Sequence, residues 1–346
     1  MTQKDFEFTK DELILLANIQ YTALHGESKI AVKGIKYLVS KKKTQKEDEK
    51  ELLKLKSDWI EAWKKITLKL LKIDPMLYNN EVLTRKIKEF IKNSSYDKQV
   101  VFALECACFI AYYPFDEDKK QLHFLDKEYL KQLAPILKPM KLPNNALQNL
   151  RDYYSNNLEK VSNELKTGFQ KYSKLIATVS AVAIVALLTP FIAASIGGAM
   201  GLSGAAASSA GLAFLGGGSL ATGGAGILGG TFVLLGGGAL AGYTGGKILS
   251  DKDLENLKSE NLIISTAKLL SVTKLLAENK KIDFHDMYKF LESLRNMQFK
   301  FEENLDKFVC LTEKLDEEKY KSYKNNALII DFSRKEMLKL LIDNKN

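Results

Sequence analysis

Residues 175–246 contain no Asp, Glu, Lys or Arg, and they hold 19 of the chain's 22 glycines. A charge-free run of this length constrains the fold more than any motif in the chain. In water each glycine disfavours a helix by roughly 1 kcal/mol relative to alanine. Surface loops, for their part, are ordinarily polar. In hydrocarbon nothing competes for the backbone hydrogen bonds, so glycine-rich helices are tolerated there. Every charged residue lies outside the run, where about a third of positions are charged, against the usual quarter. The bulk values of 46% apolar residues and a net charge of +9 are thus the average of two unlike compositions. This segregation excludes both a uniform globular enzyme and a fully disordered chain.

Within the run, residues 175–196 form 22 consecutive uncharged positions. Leu175, Val182, Ile184 and Leu187 are typical of them, and Pro190 is the one interruption. About 20 apolar residues in a helix cross a bilayer core of ~30 Å, so this stretch is long enough to span. Residues 197–211 are small and read as a turn region. Residues 212–246 form a second stretch, in which Phe232 and its neighbours supply the bulk. Its glycines fall at helical spacing: Gly226 with Gly230, then Gly238, Gly242 and Gly246. Small residues four apart let helix backbones approach closely in lipid, the glycine-zipper form of association. A buried soluble hairpin is the competing reading, and the two agree if the hairpin is packed away in one state and inserted in another. Lys166, Lys171 and Lys174 precede the run, and Lys247, Lys252 and Lys258 follow it. Basic flanks favour the cytoplasmic side, and equal flanks favour a hairpin with both ends there.

Helical periodicity dominates on either side. Thr9 and Glu12 have capping-box spacing before an apolar run to Ala23, and Thr44 and Glu47 repeat it. The second pair precedes a stripe through Leu52, Leu55, Trp59, Trp63, Ile66 and Leu70, which Asp74 and Pro75 end. Further helices are expected at 81–92, 98–112 and 127–137. From Asn144 the apolar positions Leu147, Leu150, Tyr154, Leu158, Val161, Leu165, Phe169 and Tyr172 form a helix-packing seam. No strong breaker separates that seam from the uncharged run, and helix is expected as far as Thr189. After the run, helices are expected at 251–279, 284–315 and 327–342, with a break near Phe332 and Ser333. The expected fold is therefore all-α: an N-terminal helical domain (1–143), a long amphipathic helix (144–174), the Gly/Ala-rich apolar hairpin (175–246) and a C-terminal helical segment packing on the bundle (247–346).

Chemistry-bearing motifs are few. Gly224, Gly226 and Gly229 match a dinucleotide fingerprint, but they lack the strand and βαβ unit it requires. Gly246-Lys247 lacks the remainder of a P-loop. His25, His123 and His285 are scattered, and Asp116, Glu117 and Asp118 lack the EF-hand pattern. Cys106 and Cys108 read as small core residues, and three cysteines build no disulfide framework. No catalytic residue, metal site or cofactor is expected. The basic excess sits in residues 1–174 and reads as a solvated lysine-rich face. With only four arginines, the side chain best suited to reading bases, nucleic acid is not an expected partner. The N-terminus, beginning Met1-Thr2-Gln3-Lys4, has no apolar run, so no cleavable signal peptide is expected.

A helical body, a central hairpin rich in glycine and alanine and a helical return resemble the layout of α-helical pore-forming toxins of the cytolysin A and haemolysin BL type. The residues carrying this likeness are the seam Leu147 to Tyr172, the hairpin 175–246 and a return helix marked by Leu254, Leu257, Leu262, Leu270 and Leu275. The plan is also similar to bacterial immunity effectors that depolarise the host membrane. The stretch from Ala107 to Ala134 resembles the TerB-like helical domain of tellurite-resistance systems in outline, and no residue role carries over. These resemblances imply a non-enzymatic protein that enters a membrane and permeabilises it, as a toxin or as an abortive-defence effector. The alternative is a constitutive inner-membrane anchor bearing a cytoplasmic helical partner-binding domain. Expected partners are a lipid bilayer, further copies of the chain through the glycine-rich hairpin and a protein trigger. The expected location is the cytoplasm, on or in the inner membrane.

Overall fold

The computed structural model describes residues 8–31, 45–71, 77–109, 111–112, 122, 124–165, 259–282, 284–311 and 317–344. The hairpin 175–246 lies outside these residues. So do all the positions expected to drive insertion and assembly: Leu175, Val182, Ile184, Leu187, Pro190, Gly226, Gly230, Phe232, Gly238, Gly242 and Gly246. Among the described residues the chain is all-helical, without strands. The helices are α1 (Lys10–Ala31), α2 (Gln45–Leu71), α3 (Asn80–Asn93), α4 (Tyr96–Ala107), α5 (Asp126–Leu137), α6 (Ala146–Glu164), α7 (Ser259–Glu278), α8 (Phe284–Leu311) and α9 (Glu317–Asp343).

Local chemistry explains where several of these begin and end. At the start of α1, the Thr9 N–H donates to the Glu12 carboxylate (2.6 Å) and the Glu12 N–H donates to the Thr9 hydroxyl (3.3 Å). This is the reciprocal capping box read from the sequence. Asn79 and Ser95 cap α3 and α4 through their side-chain oxygens. Of the expected second capping box, Thr44 lies outside the described residues, and helix α2 begins directly after it at Gln45. Helix α4 stops at Ala107, five residues short of expectation. The Arg151 guanidinium donates to the Ala107 and Phe109 carbonyls (2.6 and 3.3 Å), and the Tyr129 hydroxyl donates to the Cys106 carbonyl (3.0 Å). Those side chains satisfy the carbonyls that a helix end leaves open, so the chain can turn while still buried.

Helix α1 is buried along most of its length and packs against α2, α3, α4 and α5. Its partner α2 runs antiparallel to it, since Glu27 meets Lys56 while Tyr21 meets Glu61. The α2 stripe differs from expectation by one position. Trp59 and Trp63 are buried and stacked 6.3 Å apart, but Leu55 is exposed and Lys56 takes its place in the core. Steps of 52, 56, 59, 60 and 63 still make one helical face. Only the residue type misleads.

Among the described residues helix α7 is buried along most of its length. Leu262, Ile263, Ala267, Leu270, Val272 and Leu276, which point in all directions from its axis, are each at most 1% exposed. Helices α4, α6 and α9 surround it. Apolarity all round is the mark of such a buried helix, and each fully buried leucine or isoleucine contributes about 1.5–3 kcal/mol. Helix α9 is continuous through Phe332 and Ser333, where a break was expected. The Ser333 hydroxyl donates back to the Ile329 carbonyl (2.7 Å) and pairs with Thr266, so its polarity is satisfied inside the helix-packed core.

Candidate functional site

Helices α6 and α7 border the stretch 166–258, which contains the uncharged run. They pack directly on one another. Tyr153 donates to Glu278 (2.6 Å) and Asn157 donates to Ser271 (3.1 Å), so residue numbers fall on α7 as they rise on α6. The two helices are therefore antiparallel. The end of α6, capped by Leu165, and the start of α7 at Ser259 consequently share one end of the pair. The described body thus stops before residue 166 and resumes at residue 259 at the same end of the α6–α7 pair.

Polar pairs on three sides fix the rotation and register of α7. Toward α9, Ser259 donates to Asn326 (2.8 Å) and Thr266 pairs with Ser333 (2.7 Å), both buried and both 67 positions apart in sequence. A constant offset means that α7 and α9 run parallel. Toward α6 lies the Asn157–Ser271 bond. Toward α4, the Lys268 ammonium donates to both oxygens of Glu105, at 2.7 and 2.8 Å, with the side chains 9% and 10% exposed. This last pair joins residues 163 positions apart, one on each side of the uncharged run.

A second buried constellation sits at the far end of α1. Glu27 Oε1 accepts from Lys56 Nζ (2.8 Å) and from the Leu125 N–H (3.1 Å), and Glu27 Oε2 accepts from the Tyr112 hydroxyl (2.6 Å). The Lys56 and Glu27 side chains are both 0% exposed. Lys56 Nζ also lies 4.3 Å from the centre of the Tyr112 ring. Burial pulls the Lys56 ammonium below the ordinary lysine range, and Glu27 works against that shift. Burial, and the Glu27 carboxylate beside it, drive the Tyr112 phenol far above its ordinary value. Tyr112 itself occupies the left-handed region, with φ 62°, a sparsely populated conformation for a bulky residue. The group ties α1, α2 and the segments after α4 and before α5 into one knot. Its donors and acceptors are spent on each other, which is the arrangement of a structural network rather than of a site awaiting substrate.

Other reactive groups fit the same pattern. Cys106 and Cys108 are buried, and burial raises both thiols, Cys108 to about 12. Such thiols are inert. His25 stacks on Tyr21 with ring centres 6.0 Å apart, and burial lowers its pKa. Among the described residues no cluster of His, Cys, Asp and Glu is arranged to hold a metal ion. A shallow depression on the outer face of α3 is lined by Asn80, Glu81, Thr84, Arg85 and Lys88. Sequence reasoning missed Lys56, Glu105 and Lys268, although each carries a signal. Lys56 stands on an apolar stripe, Glu105 interrupts the apolar run from Val100 to Ala107, and Lys268 is one of two charges, with Lys274, in the mostly uncharged stretch from Leu262 to Ala277.

Among the described residues no helix is long and apolar enough to cross a membrane. No protein-family model matches the sequence, and neither the curated proteins nor the solved structures include one similar to this chain.

Proposed function

We propose that the chain is a membrane-inserting, non-enzymatic helical protein whose uncharged stretch 175–246 enters a bilayer and makes it leaky, as a toxin or an abortive-defence effector. One observation carries this reading. A 72-residue run without a charge and with 19 glycines is threaded between two antiparallel helices that open at the same end of a well-packed body. A segment that departs and returns at one place crosses a bilayer an even number of times, as a hairpin does. The first stretch, 175–196, has the length one span requires, the second, 212–246, is more than long enough for another, and copies of the chain then associate through Gly226 and Gly230 and through Gly238, Gly242 and Gly246. Among the described residues the buried charged groups Glu27, Lys56, Glu105 and Lys268 are spent on internal pairs, which supports a non-enzymatic reading. The basic excess of residues 1–174 attracts the protein toward an anionic leaflet.

The reading is tested with purified full-length protein and dye-loaded vesicles containing about one-third anionic lipid, alongside a variant lacking residues 175–246. Leakage with the full chain and none with the deletion supports it. Gly242→Leu should slow leakage more than it reduces vesicle binding, since it blocks close helix approach but adds apolar surface. Binding without leakage, together with no loss of membrane potential on induced expression, would replace the proposal with a plain membrane anchor. No binding at all would remove the membrane role.

A further inference from the structure

Helix α8 offers a second surface, independent of the membrane reading. It packs on α9 through Met287, Leu291, Leu294, Phe301 and Leu305, which are buried or half-buried at heptad spacing. About a quarter turn away, another stripe faces solvent. It consists of Tyr288 (64% exposed), Arg295, Phe299 (65%), Glu302, Asp306 and Val309 (55%). Steps of seven, four, three, four and three keep these six residues on one face over most of a helix ~42 Å long at about 1.5 Å per residue. Exposed Tyr, Phe and Arg side by side form the composition enriched at protein–protein interfaces.

The order of charges on this stripe identifies the partner. Arg295 precedes Phe299 by four residues, and the acids Glu302 and Asp306 follow it by three and seven. Reversing the helix direction about a point near Phe299 carries Arg295 onto Glu302 and Asp306. The same operation carries Tyr288 onto Val309 and brings Phe299 against its own copy. The stripe is therefore complementary to itself in the antiparallel sense, which is what a two-fold contact requires. We propose that α8 pairs with α8 of a second copy of this chain, antiparallel, about a two-fold axis near Phe299.

Two experiments on the full chain test this. In sedimentation velocity, Arg295→Glu alone and Glu302→Lys/Asp306→Lys alone should each weaken self-association by about tenfold or more, because each places like charges in both symmetric contacts. An equimolar mixture of the two should associate about as well as wild type, since the signs are opposite again in the mixed pair. In a Cys310→Ser background, Phe299→Cys should form an intermolecular disulfide under mild oxidation, and Lys307→Cys, on the far side of the helix, should not. An oligomer held elsewhere, through residues 175–246 for example, would be indifferent to Arg295→Glu and give no Phe299→Cys disulfide. That outcome overturns the proposal, as does a wild-type chain that stays monomeric at ~100 μM, well above the Kd range of ordinary specific interfaces.

Discussion

Replacing Lys268 by methionine removes one partner of the ion pair between α4 and α7 without shortening the side chain much. Both groups are about nine-tenths buried, and the ammonium lies within 2.7 and 2.8 Å of the two carboxylate oxygens. A solvent-exposed pair would contribute at most ~1 kcal/mol. Stranding a buried carboxylate instead costs about 3–5 kcal/mol, a large part of the 5–15 kcal/mol that holds a typical domain folded. Lys268→Met and Glu105→Met should therefore each lower the urea midpoint strongly, followed by circular dichroism at 222 nm and by the fluorescence of the buried Trp59 and Trp63. The double variant should recover to within about 1 kcal/mol of wild type, because paired methionines leave no buried charge. A Lys268→Met cost below about 1 kcal/mol would show that water reaches the pair. A double variant whose loss equals the sum of the singles would show that the two groups do not act on each other.

Three further expectations follow from the same packing. A variant in which residues 166–258 are replaced by a Gly/Ser linker of about ten residues should keep its helical signal and a cooperative urea transition, because α6 and α7 meet without the intervening stretch; loss of cooperativity would refute their direct docking. A thiol reagent should modify Cys310 alone in the native protein and all three cysteines after denaturation, given that Cys106 and Cys108 are buried; early reaction of either would show that the core opens there. Cys108 is raised by burial from 9.0 to about 12, so above pH 9 the unfolded chain releases a proton that the fold retains. The stability this group contributes is complete below pH 9 and declines toward pH 12, by up to about 1.4 kcal/mol per pH unit. Cys108→Ala should make that alkaline limb less steep, the rest coming from groups such as Cys106 and Tyr112 that burial also raises, and an unchanged slope would assign the protons elsewhere.

Local patterns made much of the body legible. The capping box at Thr9 and Glu12 is formed, and α3, α5 and the start of α6 fall within two residues of their expected positions. What periodicity misread depends on partners far away in sequence. Leu55 and Lys56 are equally compatible with the α2 stripe until Glu27 and Tyr112 are known to wait on the other side. Ser333 reads as a breaker because its partner Thr266 lies 67 positions earlier. Helix α4 ends early because Arg151, 44 residues on from Ala107, takes its terminal carbonyls. For the candidate site, the sequence alone shows the uncharged run and its basic flanks. That its two borders stand side by side is a tertiary fact, visible only through the Asn157–Ser271 and Tyr153–Glu278 contacts.

The position of α7 bears on how such a chain would use its apolar stretch. One route loosens the body, freeing α6 and α7 to follow the hairpin into lipid. It would separate Lys268 from Glu105, Asn157 from Ser271 and Thr266 from Ser333, and it would expose a helix that is buried on every side. The stranded charge alone costs several kcal/mol, before the lost burial is counted. The other route moves only residues beyond Leu165 and before Ser259, and it breaks none of the contacts that hold α7 in place. The second leaves the buried Lys268–Glu105 pair in place. Under the membrane reading, the body therefore stays folded through insertion, as a base in which Leu165 and Ser259 stand at one end of the α6–α7 pair. A trigger would then act outside the core around α7, which would keep its packing throughout.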